Sequence, residues 1–434
     1  MDMKALLSIA VFVGTYFFIA IEKSPRVYIA LSGTILLVLF KIYTPKEVAL
    51  YVDWETIGFL FGIFMIVKII DESGFFNYFS LLVARKLDFS PIKIFIVFPF
   101  LSCFLSNFMG SISVIVFLVP LTYALSKILK FDPVPYVISE VCLANIGGAG
   151  TLMGDPPNII LGSMFGLGFV DFIKHNWILG MMGASGAIFV SYLMHRRELL
   201  KLNQKMKKEE LKKLIPEDAI EDRVLMRAGL TGLLATMILL IMRDFTEKIL
   251  PLNIALASLI PAFTILTIKG NNPKLKDIVR RIDIETLLFL TGLFVIVGAL
   301  EKTGVMRRLA MSVSSFASHP FSIPSVLFWG GALTSSVIDN VPEAISIGYL
   351  IKNLMPVLTT SFTLLVWASS LGLDMGGNFT PIGASANVVG YTFMEGQHIR
   401  IGWIRWIKLA FLQTMAALVI CWVALFLKYE IGFY

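Results

Sequence analysis

Residues 147–162 read GGAGTLMGDPPNIILG, with glycine at 147, 148, 150 and 154 and with Asp155, Pro156, Pro157 and Asn158 beside them. The chain on either side is largely apolar, so this is a polar, helix-breaking stretch where a buried helix would otherwise run. Glycine is entropically costly in a helix interior, and proline lacks the N–H and clashes with the preceding turn. Residues 376–390, GGNFTPIGASANVVG, repeat the pattern. Gly147-Gly148 align with Gly376-Gly377, Thr151 with Thr380, Gly154 with Gly383 and Asn158 with Asn387.

Apolar residues make up 57% of the 434 and charged residues 15%, against about 25% charged in a soluble domain. The composition is that of a polytopic membrane protein, with the lipid bilayer as a partner. The net charge of +7 therefore gives no reason to expect nucleic acid. Cys103, Cys142 and Cys421 lie in apolar stretches without metal-ligand spacing, and the four histidines form no cluster, so neither a disulfide framework nor a zinc site is indicated. H-E-x-x-H and P-loop motifs are absent, and no enzyme is expected. The first apolar run lacks a cleavage site after it and reads as a retained span.

Taking about 20 apolar residues per crossing, spans fall near 3–21, 26–43, 54–71, 132–163, 174–195, 224–243, 250–269, 285–300, 357–395 and 401–428. Two further apolar regions, 91–129 and 323–356, carry polar breaks at 106–111 and 335–340. Each reads either as two full spans or as a helical hairpin entering and leaving on one side. VDWET at 52–56 matches IDIET at 282–286, Gly74 matches Gly304, and Asn107 matches Asn340. Such self-similarity marks an internal repeat.

The expected fold is all-α and polytopic: two inverted-topology repeats, each of five transmembrane spans plus a helical hairpin, with one discontinuous helix per repeat. The first repeat is 1–195, a basic cytoplasmic linker is 196–222, and the second repeat is 223–434. Five crossings per repeat turn the second upside down, the arrangement of many secondary transporters. Charge placement fits. Segments 22–26, 72–93, 127–131, 269–284 and 396–408, with the linker and its flank, hold 25 of the 37 Lys and Arg. By the positive-inside bias they face the cytoplasm and both termini face outward. Segments 72–88 and 301–316 are amphipathic and are expected along the interface.

Irregular backbone at membrane depth is tolerated only where protein buries it or it lines a wet cavity. A broken helix offers carbonyls to a cation at one half and N–H groups to an anion at the other. The candidate substrate- and ion-binding residues are Ser106, Asn107, Thr151, Gly154, Asp155, Asn158, Asp339, Asn340, Glu343, Asp374, Thr380, Gly383, Ser385 and Asn387. An ionisable residue inside a membrane marks function by default, yet Asp155 and Asp339 can equally cap the half-helices that follow them. Asp374 aligns with Asn145 and Glu343 with Gly110, which biases proton or cation coupling to the second half. Lys68 either neutralises Glu72, one turn away, or meets an anionic substrate.

GDPPNII at 154–160 and GGNFTPIGASANVV at 376–389 resemble the paired signatures of the ion transporter superfamily. That group includes arsenite permeases, NhaD-type sodium/proton antiporters, the melanosomal P protein, citrate transporter-like proteins and, more distantly, divalent-anion/sodium symporters. Ser106-Asn107 resembles the Ser-Asn-Thr hairpin tip of the sodium/dicarboxylate symporters, with Phe108 in place of threonine. The resemblance implies a homodimer with a scaffold and a mobile transport domain that moves like an elevator. The expected function is secondary transport of a small anion, a carboxylate or an inorganic oxyanion such as arsenite or sulfate, coupled to Na+ or H+ across the cytoplasmic membrane by alternating access. The alternative is a Na+/H+ antiporter without organic substrate. No cofactor is expected beyond the coupling ion, and no metal beyond Na+ at the hairpin tips.

Overall fold

The computed structural model describes residues 2–21, 24–204, 216–246, 252–269, 273–316, 319–358 and 361–433. Among these, all regular secondary structure is helical. The first half runs α1 (Met3–Ile21), α2 (Arg26–Leu39), α3 (Pro45–Val48), α4 (Trp54–Glu72), α5 (Phe75–Lys86), α6 (Pro91–Met109), α7 (Ser111–Leu129), α8 (Val134–Gly148), α9 (Pro156–Phe165) and α10 (Phe169–Phe172). A π-helical stretch, Ile173–Trp177, leads into α11 (Ile178–Gln204). The second half runs α12 (Arg223–Thr246), α13 (Ile254–Lys269), α14 (Pro273–Arg280), α15 (Ile284–Lys302), α16 (Val305–Ser314), α17 (Ser322–Ser335), α18 (Asn340–Leu354), α19 (Phe362–Gly376), α20 (Ser385–Gly396) and α21 (Trp403–Glu430). Six helical segments among the described residues are long and apolar enough to cross a membrane, and four shorter ones are also apolar.

The matched sequence motifs build matched local structure. In VDWET, Asp53 caps α4: its carboxylate accepts from the Thr56 N–H at 3.2 Å and the Thr56 hydroxyl at 2.8 Å. In IDIET, Asp283 does the same for α15 through Thr286, at 2.9 and 2.6 Å. Each cap is worth about 1 kcal/mol. The halves interlock through these two helices, α4 packing on α13 and α15 on α2. Small residues allow the close approach, as where Gly62 lies against Ser258 and Gly292 against Ala30, the usual device of helices packed in lipid.

The two regions 132–163 and 357–395 are each a pair of half-helices, α8–α9 and α19–α20, parted at the glycine-rich stretches. The hairpin regions differ from the sequence expectation in detail. The first turns at a single residue, Gly110, whose φ of +82° favours glycine. Ser106 and Asn107 therefore remain helical, in the last turn of α6. The second turn is longer, with α17 ending at Ser335 and α18 starting at Asn340. Helix α11 also continues beyond 195 to Gln204, so the basic segment begins as helix. Residues 205–215 of that segment lie outside the described residues.

Candidate functional site

Each break is held by one asparagine. Asn158 donates its amide to the carbonyls of Gly148 at 2.8 Å and Thr151 at 2.9 Å. Asn387 donates to Gly377 and Thr380, both at 2.8 Å. Each break is then tied to its hairpin tip by a threonine: the Thr151 hydroxyl donates to the Asn107 carbonyl, and the Thr380 hydroxyl to the Ser336 carbonyl at 2.5 Å. Gly154 and Gly383 sit where the backbone folds onto itself. A Cβ there would lie 2.1 Å from the Gly148 carbonyl oxygen and 2.4 Å from that of Gly377. The paired Asn, Thr and Gly positions thus shape the breaks and satisfy carbonyls that the interrupted helices leave open.

The two breaks also meet. Asn145 donates to the side-chain oxygens of Asn378 at 2.7 Å and Asn387 at 2.8 Å. Ser370 donates to Asn158 Oδ1 at 2.6 Å and accepts from Asn176 at 3.0 Å.

In front of the breaks lies a cavity of about 50 Å³ lined by Arg26, Ser111, Asp155, Pro156, Asp339 and Ser385 among others. Five helices begin at its wall: α2 at Arg26, α7 at Ser111, α9 at Pro156, α18 beside Val341 and α20 at Ser385. The N–H groups that start α2, α7, α18 and α20 favour negative charge; α9 starts on Pro156 and Pro157 and offers no N–H there. Two of the protein's own carboxylates occupy that field. Asp155 accepts from the Ser111 N–H at 3.3 Å and the Ser111 hydroxyl at 2.6 Å. It makes no side-chain capping bond to α9, the helix it precedes. The expected local cap is thus corrected: Asp155 serves the start of α7, on the hairpin. Asp339 does cap locally, accepting from the Val341 N–H at 3.1 Å, and also accepts from the Ser385 hydroxyl at 3.0 Å. The oxygen that accepts from Ser385, Oδ2, also forms an ion pair with Arg26 Nη1 at 3.1 Å.

Two larger cavities adjoin. One of about 490 Å³ shares Arg26, Phe289 and Asp339 with the inner cavity and runs beside Ser24 and Pro25. Another, of about 240 Å³, shares Phe64, Ile112, Ser113 and Thr286 and is bordered by Lys68, Asp71 and Arg281. Lys68 pairs with Asp71 at 2.9 Å and Glu72 at 3.3 Å, which favours its ion-pair role.

Of the sequence candidates, Asp155, Asp339 and Ser385 line the inner cavity. The others are not part of its lining. Asp374 is fully buried, with Oδ1 3.4 Å from the Asn340 amide nitrogen that donates to it and no partner for Oδ2. Glu343 accepts from the Thr334 hydroxyl, and its Oε2 is unpartnered. Ser106 Oγ and Asn107 Oδ1 are likewise buried without a partner. Unmatched buried oxygens are costly and are what a proton or a hard cation would satisfy. No cluster of three or more His, Cys, Asp or Glu suited to a metal occurs among the described residues. Sequence reading missed Arg26 and Ser111. In the sequence Arg26 counts only among the loop charges, although Pro25 before it signals a helix start.

Apolar helices, two of them broken, around a buried charged cavity are the architecture of a membrane transporter. Two solved transporters share the fold: YdaH of Alcanivorax borkumensis, with a TM-score of 0.55 over 91% of this chain and 89% of that one, and MtrF of Neisseria gonorrhoeae, with 0.58 over 99% and 95%. Both are 12% identical, so the likeness concerns fold alone. Residues 16–372 match the model described as citrate transporter, and the chain belongs to that family. It is 29% identical to an uncharacterized transporter of Mycobacterium bovis over 89% of each chain. It is 26% identical to the human P protein, covering 91% of this chain and 57% of that one. The superfamily resemblance drawn from 154–160 and 376–389 therefore holds.

Proposed function

We propose that the protein is a secondary active transporter that moves a small anion, a carboxylate or an inorganic oxyanion, across the cytoplasmic membrane by alternating access coupled to Na+ or H+. The convergence of five helix N-termini with one guanidinium on a single cavity carries this reading. The four N-termini that carry N–H groups contribute roughly half a positive charge each and, with Arg26, offset the Asp155 and Asp339 carboxylates, so an anion is favoured over a cation. Coupling is assigned to Asp374, a buried acid with an unpartnered oxygen, rather than to Asp339, whose charge is already matched by Arg26. Na+ at the hairpin tips would use Ser106, Asn107, Asn340, Glu343 and Asp374 as oxygen ligands.

Both side cavities run beside segments 22–26 and 269–284, which the basic bias assigns to the cytoplasm. The described state is then inward-facing. Inverted repeats, outward termini and a homodimer belong to the same proposal. The membership of a transporter family favours a role without enzymatic turnover.

A second reading, Na+/H+ antiport without an organic substrate, is favoured by one observation: Asp155 and Asp339 themselves fill anion positions in the cavity. Uptake into proteoliposomes decides between them. Citrate, sulfate and arsenite are offered under imposed Na+ and pH gradients. Gradient-driven accumulation of one of them is expected. Exchange of Na+ for H+ with no movement of any anion would select the antiporter.

A further inference from the structure

We propose that Arg26 is the group that receives the substrate's anionic oxygens, and that Asp339 holds its place until the substrate arrives. This rests on the anion reading above and assigns the recognition within that site. Arg26 is the only basic residue among the described residues lining the inner cavity. The neighbouring cations are engaged elsewhere, Lys68 with Asp71 and Glu72, and Arg281 with Glu72 at 3.4 Å.

The geometry of the pair is that of a displaceable contact. The Arg26 side chain is 45% exposed, and among the described residues its hydrogen bonds run through Nη1 alone, to Asp339 and to Ser385 at 3.4 Å. A guanidinium has five donors in a planar fork, so most of its capacity is unused, and Arg26 also lines the 490 Å³ cavity. Phe289 lies under the guanidinium, with the ring centroid 5.4 Å from Cζ, and limits how the fork can turn. A carboxylate or a sulfate-like oxyanion can take two parallel N–H donors from such a fork, a stronger arrangement than the single contact Asp339 makes. Asp339 is not stranded when Arg26 leaves. The Val341 N–H and the Ser385 hydroxyl still donate to it.

Size points the same way. The inner cavity, about 50 Å³, is a tenth the size of the 490 Å³ cavity beside it. Arg26, Asp339 and Phe289 form the wall it shares with the larger cavity, so parting the pair joins the two volumes at the helix N-termini. The ligand class is an anion with at least two geminal oxygens. A neutral solute would make no use of the guanidinium.

Steady-state uptake of labelled citrate and of sulfate by the full-length protein in proteoliposomes tests this. The variants are Arg26→Gln, Arg26→Lys and Asp339→Asn, each checked for a monodisperse folded state. For the transported anion, Arg26→Gln is expected to raise KM tenfold or more. Arg26→Lys, which keeps charge but loses the fork, should raise it less. Asp339→Asn should lower KM several-fold because the competing carboxylate is gone. A response with citrate alone identifies a carboxylate ligand, and a response with sulfate alone an inorganic oxyanion. If the pair were only a structural latch, the Arg26 and Asp339 variants would shift KM in the same direction, and that result overturns the assignment. So does an unchanged KM in Arg26→Gln while wild type transports, which leaves the anion reading standing. Should Arg26→Gln not fold, the opposite shifts of Arg26→Lys and Asp339→Asn carry the same decision. Wild-type protein that moves neither is offered arsenite: movement of none of the three removes the anion reading and this assignment together, and movement of arsenite transfers the same KM comparison of the variants to arsenite.

Discussion

Asn158 and Asn387 make the same two hydrogen bonds, each to the carbonyls ten and seven residues before it. The bonds close the two glycine-rich breaks from inside, where no water is at hand to satisfy the carbonyls. Replacing either residue by alanine leaves one carbonyl, that of Gly148 or Gly377, without a donor, at about 1–3 kcal/mol, while the Thr151 and Thr380 carbonyls keep the N–H groups of Gly154 at 3.2 Å and Gly383 at 3.5 Å. Asn158→Ala and Asn387→Ala are expected to lower the melting temperature in detergent clearly. Asn→Asp should fail too, because the carboxylate cannot donate. A variant with unchanged melting but lost ligand binding would return these residues to direct recognition.

Close backbone approach makes a second expectation. A methyl group at Gly154 or Gly383 would meet carbonyl oxygens that belong to the backbone and cannot rotate away. Overpacking of this kind costs about 1–3 kcal/mol. Gly396→Ala, with nothing within 4 Å, is the control. Thermal unfolding of the three variants should separate Gly396 from the other two; equal behaviour would mean the breaks are loosely packed.

The sequence was most legible where both halves repeat a residue with a local job. Thr151 and Thr380 near the breaks, and the VDWET and IDIET stretches that cap α4 and α15 in the structure, recur at nearly the same offset. Arg26 has no counterpart to betray it, and its partner Asp339 is 313 residues away. Asn378 aligns with Ala149, so nothing in the repeat foretold its bond to Asn145. Asp155 shows the limit of local reading: residue spacing pointed to the helix after it, whereas folding brings it to the start of α7, 44 residues earlier.

Sidedness is open to direct labelling. Cys103, Cys142 and Cys421 are all buried, so an impermeant maleimide should find little background. Cysteine at Lys46 should react from outside, and cysteine at Lys201 or Arg280 only from the cytoplasm. Reaction of all three from one side would rule out the inverted arrangement.

Outside the membrane, Glu47 accepts from Lys302 at 2.6 Å and from the Thr44 N–H at 2.7 Å. The Lys302 hydrogen bond, helped by Thr44, holds its carboxyl down at about 2, against an ordinary 4.5. A depressed carboxyl contributes stability above its unfolded value and loses it as pH falls toward the folded one. Wild type should therefore melt above Glu47→Gln at neutral pH, and the gap should close between about pH 4.5 and pH 2. A gap independent of pH over that window would show that the charge on Glu47 is not what matters.

Coupling can be separated from recognition at Asp374. Its carboxyl is fully buried, touched by Asn340 at 3.4 Å, and has one oxygen without a partner. A proton or Na+ bound there must be released once per cycle if it drives transport. Asn keeps the volume and can still accept from Asn340, but it neither titrates nor carries charge. Asp374→Asn should thus lose accumulation under imposed Na+ or pH gradients while retaining substrate binding and downhill exchange. Asp155→Asn differs, because an amide oxygen can still accept from both Ser111 donors, and its accumulation should survive. Uptake by the two variants with each gradient applied alone is the measurement. Full accumulation by Asp374→Asn, with loss in Asp155→Asn, would move coupling to the first half and to the hairpin start that Asp155 holds.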